Sequence, residues 1–136
     1  MTDHYQHDAA IVQKIVARLP DMRAIYRYGS AGTKYERKVS DIDIAILASR
    51  VVPLQEMLEL AGELTVLTGR EIDLHDLRKL PVSLRVQIVL DGKRLYCKDR
   101  AAAEAYDSRT LSEYVRLNEE RRYILNDIKR REQIYG

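Results

Sequence analysis

Residues 41–47, Asp-Ile-Asp-Ile-Ala-Ile-Leu, form the segment that most constrains what this chain can fold into. Polar and apolar residues alternate in it, as they do in a β-strand whose two faces meet different surroundings. One face carries Asp41 and Asp43, and the isoleucines between and after them form an opposite face that must be covered. Residues 71–75 alternate in the same way and place Asp73 on the polar face. The two segments therefore predict a sheet with helices packed on its isoleucine face.

The remaining periodicities predict helices and short strands in alternation. We expect strands at residues 24–28, 41–47, 71–75 and 94–97, with helices over residues 11–19, from Pro53 to Gly69, from Pro81 to about Leu90, and from Asp99 onward. This order predicts an α/β (α+β) fold in which a small mixed sheet is covered by helices. We expect a domain at residues 1–98 and a C-terminal helix at residues 99–136 that packs on the core, on a partner, or on both.

Composition excludes several classes of protein. The 136 residues are 46% hydrophobic, so the chain can bury the core of one domain. Its 23 basic and 21 acidic residues are balanced, so we expect no direct binding to nucleic acid. A single cysteine, Cys97, rules out an internal disulfide framework and fits a cytoplasmic protein. We expect no membrane span and no secretory signal, because no apolar run approaches the length that these segments need.

The aspartates predict a magnesium site. In a strand, Asp41 and Asp43 project to the same side, about 7 Å apart along the chain. Such carboxylates repel each other unless a cation lies between them, and oxygen ligands without histidine or thiolate suit Mg²⁺. If the strand with Asp73 pairs beside them, three carboxylates can hold two Mg²⁺ ions about 4 Å apart and clamp the phosphates of a nucleotide. The alternatives are that these are solvent-facing strand residues, or that Asp76 replaces Asp73, although its parity is wrong.

Gly29 and Ser30 end the first predicted strand, ten residues before the aspartate pair. A glycine lets the backbone approach a phosphate closely, and a serine offers its N–H and hydroxyl as hydrogen-bond donors. We therefore expect these two residues to bind nucleotide phosphates, although the same pair also occurs in ordinary turns.

Residues 28–47, YGSAGTKYERKVSDIDIAIL, and residues 70–77, REIDLHDL, resemble the minimal nucleotidyltransferases of the polymerase-beta-like superfamily. The resemblance implies that Gly29 and Ser30 bind the phosphates of ATP and that Asp41 and Asp43 bind Mg²⁺. It implies that Asp73 is a metal ligand or the general base. One position departs from the family pattern, because Lys34 stands where members often have glycine. The phosphate loop is therefore expected either to curve differently or to use Lys34 as a phosphate contact.

Small stand-alone proteins that resemble this chain are typically antitoxins, encoded beside an RNase toxin of the helical HEPN type. The resemblance implies transfer of AMP from ATP to a tyrosine hydroxyl of that toxin, within a hetero-oligomer. The length of the chain points the same way, since it leaves no second domain to hold an acceptor, and a protein acceptor can dock by itself. Two alternatives stay open: a non-catalytic antitoxin that neutralises its partner by binding alone, and a nucleotidyltransferase that acts on small molecules.

Overall fold

The computed structural model describes residues 6–29 and 41–135, which form four strands and four α-helices. The elements are α1 (Asp8–Arg18), β1 (Met22–Tyr28), β2 (Ile42–Ala48), α2 (Leu54–Thr68), β3 (Ile72–Asp76), a 3₁₀ turn (Leu77–Lys79), α3 (Val82–Asp91), β4 (Lys93–Cys97) and α4 (Arg100–Tyr135). Within this described part, no helix has the length and apolar character needed to cross a membrane.

The strands form one mixed sheet in the order β3-β2-β1-β4. β2 and β3 run parallel, whereas β1 pairs antiparallel with β2 and with β4. The predicted fold class is therefore confirmed, with all four predicted strands present. β1 begins at Met22 rather than at residue 24, because Met22 still pairs with Ala48 at the end of β2.

Helices cover both faces of the sheet. The three isoleucines of β2 are buried against α1 and α2, in a core that also contains Ile11, Ile15, Leu60 and Leu64. Ala45 and Leu47 point to the other face, where they pack with Leu77 and with Ile88 of α3. Because Asp43 shares the parity of Ala45 and Leu47, it lies on this second face, at the end of β2 that precedes the packed residues.

α4 is a single helix of 36 residues, and its first half packs on the second face. The Tyr26 hydroxyl donates a hydrogen bond of 2.9 Å to Asp107 Oδ1, and Arg94 lies 3.5 Å from the same carboxylate. Further along, Glu113 accepts a hydrogen bond of 3.3 Å from Arg85 of α3. These contacts fix the helix against β1, β4 and α3.

A buried ion pair joins the start of α1 to the end of β1. Arg27 Nε donates to Asp8 Oδ1 over 2.9 Å, and Arg27 Nη2 donates to Asp8 Oδ2 over 3.2 Å. The two side chains are only 6% and 8% exposed. The pair therefore anchors β1 two residues before Gly29.

We predict that Asp8→Ala lowers the free energy of unfolding by about 3 kcal/mol or more, because it leaves a buried guanidinium without its carboxylate. Glu63→Ala is the control, since Glu63 pairs with Arg18 at the surface, where such pairs contribute about 1 kcal/mol or less. Urea denaturation of the two variants measures the difference. Equal losses of stability would show that the Asp8–Arg27 pair is not a buried anchor.

Candidate active site

Strand pairing places Asp43 between an aromatic and an acidic neighbour. The antiparallel register sets Tyr28 of β1 opposite Asp43, and the parallel register sets Asp73 of β3 opposite it on the other side. All three residues are half-buried. Since paired residues in neighbouring strands point to the same face, the two carboxylates converge on one side of the sheet.

Asp41 and Glu71 extend this group to the rim of the sheet. The backbone N–H of Ile42 donates to the Glu71 carbonyl over 2.9 Å, which aligns the residues before β2 with those before β3. One carboxylate oxygen from each of Asp41, Glu71 and Asp73 lies within 4.8 Å of the others. Among the described residues, no lysine or arginine forms an ion pair with Asp41, Asp43, Glu71 or Asp73.

The electrostatics of the group are those of crowded negative charge. The pKa of Asp43 is raised to about 6, chiefly by burial. The negative charges of Asp73 and Asp41 also raise this pKa, and Asp73 has the larger effect. His75, exposed on the same face of β3, acts in the opposite direction on this pKa. A divalent cation would relieve the repulsion, and the all-oxygen donor set suits Mg²⁺.

Tyr28 and Tyr26 lie on the same face but meet different neighbours. Burial, with the charges of Asp43 and Asp73, raises the pKa of Tyr28 to about 12. Tyr26 is 2% exposed, and burial together with the charge of Asp107 raises its pKa above the ordinary value. Tyr26 is therefore a packing residue tied to α4, whereas the ring of Tyr28 borders the carboxylates.

Gly29 closes the site at the end of β1. Its φ of +75° lies in the left-handed region that favours glycine. A Cβ at this position would collide with Oδ2 of Asp43. Glycine is thus required at this position for two reasons: the backbone turn, and the space that the Asp43 carboxylate occupies.

The structure brings together four of the five residues that the sequence singled out: Gly29, Asp41, Asp43 and Asp73. Ser30 lies outside the described residues, as does Lys34. Asp76 is buried, and its side chain accepts a hydrogen bond of 3.1 Å from the backbone N–H of Arg78 at the 3₁₀ turn. It is therefore a capping residue and does not compete with Asp73.

Glu71 is the residue of the cluster to which the sequence analysis gave no role. The signal was present, because Glu71 precedes Asp73 by two positions and must share its face in a strand. Its proximity to Asp41 depends on the parallel register of β2 and β3, which alternation alone does not reveal.

We predict that Gly29→Ala destabilises the chain and displaces the Asp43 carboxylate, because both the backbone and the added methyl group are strained. Gly69→Ala is the matched control, since Gly69 has a φ of +71° but no atom near the added Cβ. The control should lose about 1–2 kcal/mol of unfolding free energy, and Gly29→Ala more. Urea denaturation and an NMR titration of Asp43 measure the two effects. Equal losses with an unchanged Asp43 titration would contradict the close contact.

We predict that, in chelator, Asp43→Asn stabilises the chain at pH 7.5 and that the gain shrinks as the pH falls. A pKa of about 6 in the folded state, against 3.8 for an ordinary aspartate, means that ionisation of Asp43 opposes folding. The free energy of unfolding of the wild-type chain therefore falls as the pH rises from about 4 to about 6, whereas the Asn variant does not show this fall. Urea denaturation across that range measures it. If the two proteins differ in unfolding free energy by the same amount at the lowest and the highest pH, the pKa of Asp43 is not raised.

Comparison with known proteins identifies the family of this chain. Residues 11–101 match the family described as Polymerase beta, Nucleotidyltransferase. The chain is 32% identical over 118 residues to the protein adenylyltransferase MntA of Shewanella oneidensis, a match that covers 87% of this chain and 84% of that protein.

Solved structures include chains with the same fold as this chain. A toxin–antitoxin crystal structure with AMP-PNP contains a chain that matches with a TM-score of 0.79 and 31% identity, covering 89% of this chain and 97% of the other. A complex of the tri-AMPylated Shewanella oneidensis HEPN toxin with its MNT antitoxin matches with a TM-score of 0.74 and 31% identity, covering 90% and 95%. The predicted resemblance is confirmed, and the chain belongs to the polymerase beta nucleotidyltransferase family.

Proposed function

We propose that this chain is an antitoxin that transfers AMP from ATP to a tyrosine hydroxyl of a HEPN-type RNase toxin and thereby neutralises it. The observation that carries the proposal is the convergence of Asp41, Asp43 and Asp73 at one edge of the sheet, beside the turn at Gly29. The names of its relatives support the substrate, since one is a protein adenylyltransferase and another forms a complex with an AMPylated HEPN toxin.

The same three aspartates are the proposed ligands of Mg²⁺, and the proposal allows for two ions. The donor chemistry fits, because the side chains are half-buried or exposed carboxylates that no described lysine or arginine neutralises. When bound, Mg²⁺ supplies positive charge that offsets the charge of the triphosphate and of the leaving pyrophosphate. Glu71 lies close enough to Asp41 and Asp73 to add a fourth carboxylate to this charge balance.

The remaining steps, phosphate binding and proton transfer, are assigned to residues of the chain. The Gly29 turn lets the backbone approach the phosphates, and we assign Gly29 and Ser30 to that contact. We assign Asp73 to accept the proton of the attacking tyrosine hydroxyl. The tyrosine oxygen then forms a bond to the α-phosphorus, the bond from that phosphorus to the bridging oxygen breaks, and pyrophosphate leaves.

The acceptor in this proposal is a protein because the described residues include no separate domain that could hold a small molecule. They form one sheet and the helices that pack on it, and the carboxylates lie at the end of the second face where Gly29 follows β1. We divide the chain at residue 98 into a catalytic domain and a C-terminal helix. ATP and the RNA that an RNase would cut are cytoplasmic, so the proposal places the reaction in the cytoplasm.

We predict that Asp41→Ala abolishes AMP transfer without unfolding the chain, because an exposed ligand is lost and no core contact is removed. Intact-mass analysis of the HEPN-type protein encoded beside this chain, after incubation with ATP and Mg²⁺, measures the transfer. Glu104→Gln, an exposed acid that pairs with Arg100, is the control and should retain full activity. An unmodified partner with the wild-type chain would contradict the proposed reaction.

Protection of cells from the toxin separates catalysis from neutralisation by binding alone. We predict that Asp41→Ala/Asp43→Ala, expressed at the wild-type level, no longer protects cells, because both proposed metal ligands are gone. Calorimetric titration with Mg²⁺ and ATP gives a second readout, and the double variant should show no uptake of either. Full protection by the double variant would favour a non-catalytic antitoxin.

A further inference from the structure

His75 is an exposed imidazole on the face of β3 that carries Asp73. Alternation puts the two side chains on the same side of the strand, with the residues about 7 Å apart along it. The parallel register sets His75 beside Ala45, which follows Asp43 on this face of β2. The ring is also close enough to Asp43 to oppose the rise in the pKa of that carboxyl. His75 therefore borders the carboxylates on the side away from the rim of the sheet.

The other residues of β3 already have roles in the fold or in the site. Ile72 is buried in the core, and Leu74 packs against that core from the opposite face. Asp73 belongs to the acidic group, and Asp76 caps the 3₁₀ turn. Among the described residues, no side chain forms a hydrogen bond or an ion pair with His75. Its ring is therefore accessible to a ligand that reaches the carboxylates.

The proposed reaction puts the acceptor on the β3 side of the site. Because β2 lies between β1 and β3, the Gly29 turn and Asp73 lie on opposite sides of Asp43. In phosphoryl transfer the attacking and leaving oxygens lie roughly in line, on opposite sides of the phosphorus. We assign Gly29 to the phosphates, so the leaving pyrophosphate lies toward β1. The attacking hydroxyl must then approach from β3.

A hydroxyl that reaches Asp73 from this side also comes within reach of His75. Two hydrogen bonds of about 3 Å each span most of the spacing between these residues, so one oxygen can bond to both side chains. A phenolic hydroxyl can donate its proton to Asp73 and accept a hydrogen bond from an imidazole N–H. An imidazole carries at least one N–H whether it is neutral or protonated, so the contact does not depend on its titration.

We propose that His75 binds the acceptor hydroxyl, and that its ring N–H holds the acceptor oxygen between Asp73 and the α-phosphorus. This inference rests on the proposed function, and the bonds that form and break are those of the proposed reaction, with the proton going to Asp73. The contact aligns the attacking oxygen, so it raises the rate of transfer and leaves the affinity for ATP unchanged.

The test measures the kinetics of AMP transfer to the HEPN-type protein encoded beside this chain. His75→Ala should lower kcat about fivefold or more, because the hydrogen bond to the acceptor is lost, and should leave the KM for ATP within about twofold. His75→Phe keeps a planar ring without a donor and should be equally slow. His75→Asn and His75→Gln carry an amide donor near one or the other ring nitrogen, so at least one of them should recover most of the lost rate.

NMR gives a readout that does not depend on turnover. The ring signals of His75 should shift when the same partner is added to the wild-type chain without ATP, because the acceptor then reaches the ring. Circular dichroism and calorimetric binding of ATP with Mg²⁺ should be unchanged in all four variants, since the side chain is exposed.

Several outcomes overturn the proposal. A wild-type kcat in His75→Ala would show that the residue has no part in transfer, and a wild-type kcat in His75→Phe would show that the ring N–H has none. A raised KM for ATP in His75→Ala would assign the contact to the nucleotide. Slow transfer by both amide variants, or ring signals that do not move, would also contradict the contact.

Failure of the proposed reaction is a separate result. If the wild-type chain leaves the mass of the partner unchanged, both the reaction and this role of His75 are refuted. If the wild-type chain and His75→Ala transfer AMP equally well, the reaction stands and only the role of His75 is wrong.

Discussion

Repulsion between Asp43 and Asp73 is the constraint on which the rest of the site depends. Left to themselves, two carboxylates would move apart, but the parallel register of β2 and β3 holds them side by side. That register is held in turn by the opposite face of the sheet, where Ile42, Ile44 and Ile46 are almost wholly buried. Each such side chain contributes about 2 kcal/mol through burial, and this stabilisation opposes any separation of the two strands. The hydrophobic core therefore enforces a site that is electrostatically unfavourable without a cation.

The same logic explains the residues around the site. Gly29 leaves room for the Asp43 carboxylate, and the buried Asp8–Arg27 pair anchors the strand that leads into that turn. On the second face, α3 packs on Ala45 and Leu47, further along β2 from the carboxylates.

Much of the fold followed from alternation in the sequence. The isoleucines and aspartates of residues 41–47 indicated which face would be buried, and the aspartates proved to lie together because β3 pairs with β2. Other features depend on contacts between distant residues and could not be read locally. The need for glycine at position 29 comes from Asp43 across the strands, and the place of Glu71 in the cluster comes from the register. The C-terminal helix was predicted, but the point where its packing on the sheet ends was not, because that point depends on the length of the sheet.

The account is tested most directly by following the titration of the Asp43 carboxyl by NMR, first in chelator and then with excess Mg²⁺. It predicts a midpoint near 6 without the cation, because the carboxyl is buried beside Asp73, and a clear fall when Mg²⁺ is added. An ordinary midpoint near 3.8 that Mg²⁺ does not move would contradict the claim that these carboxylates form a strained, cation-binding site.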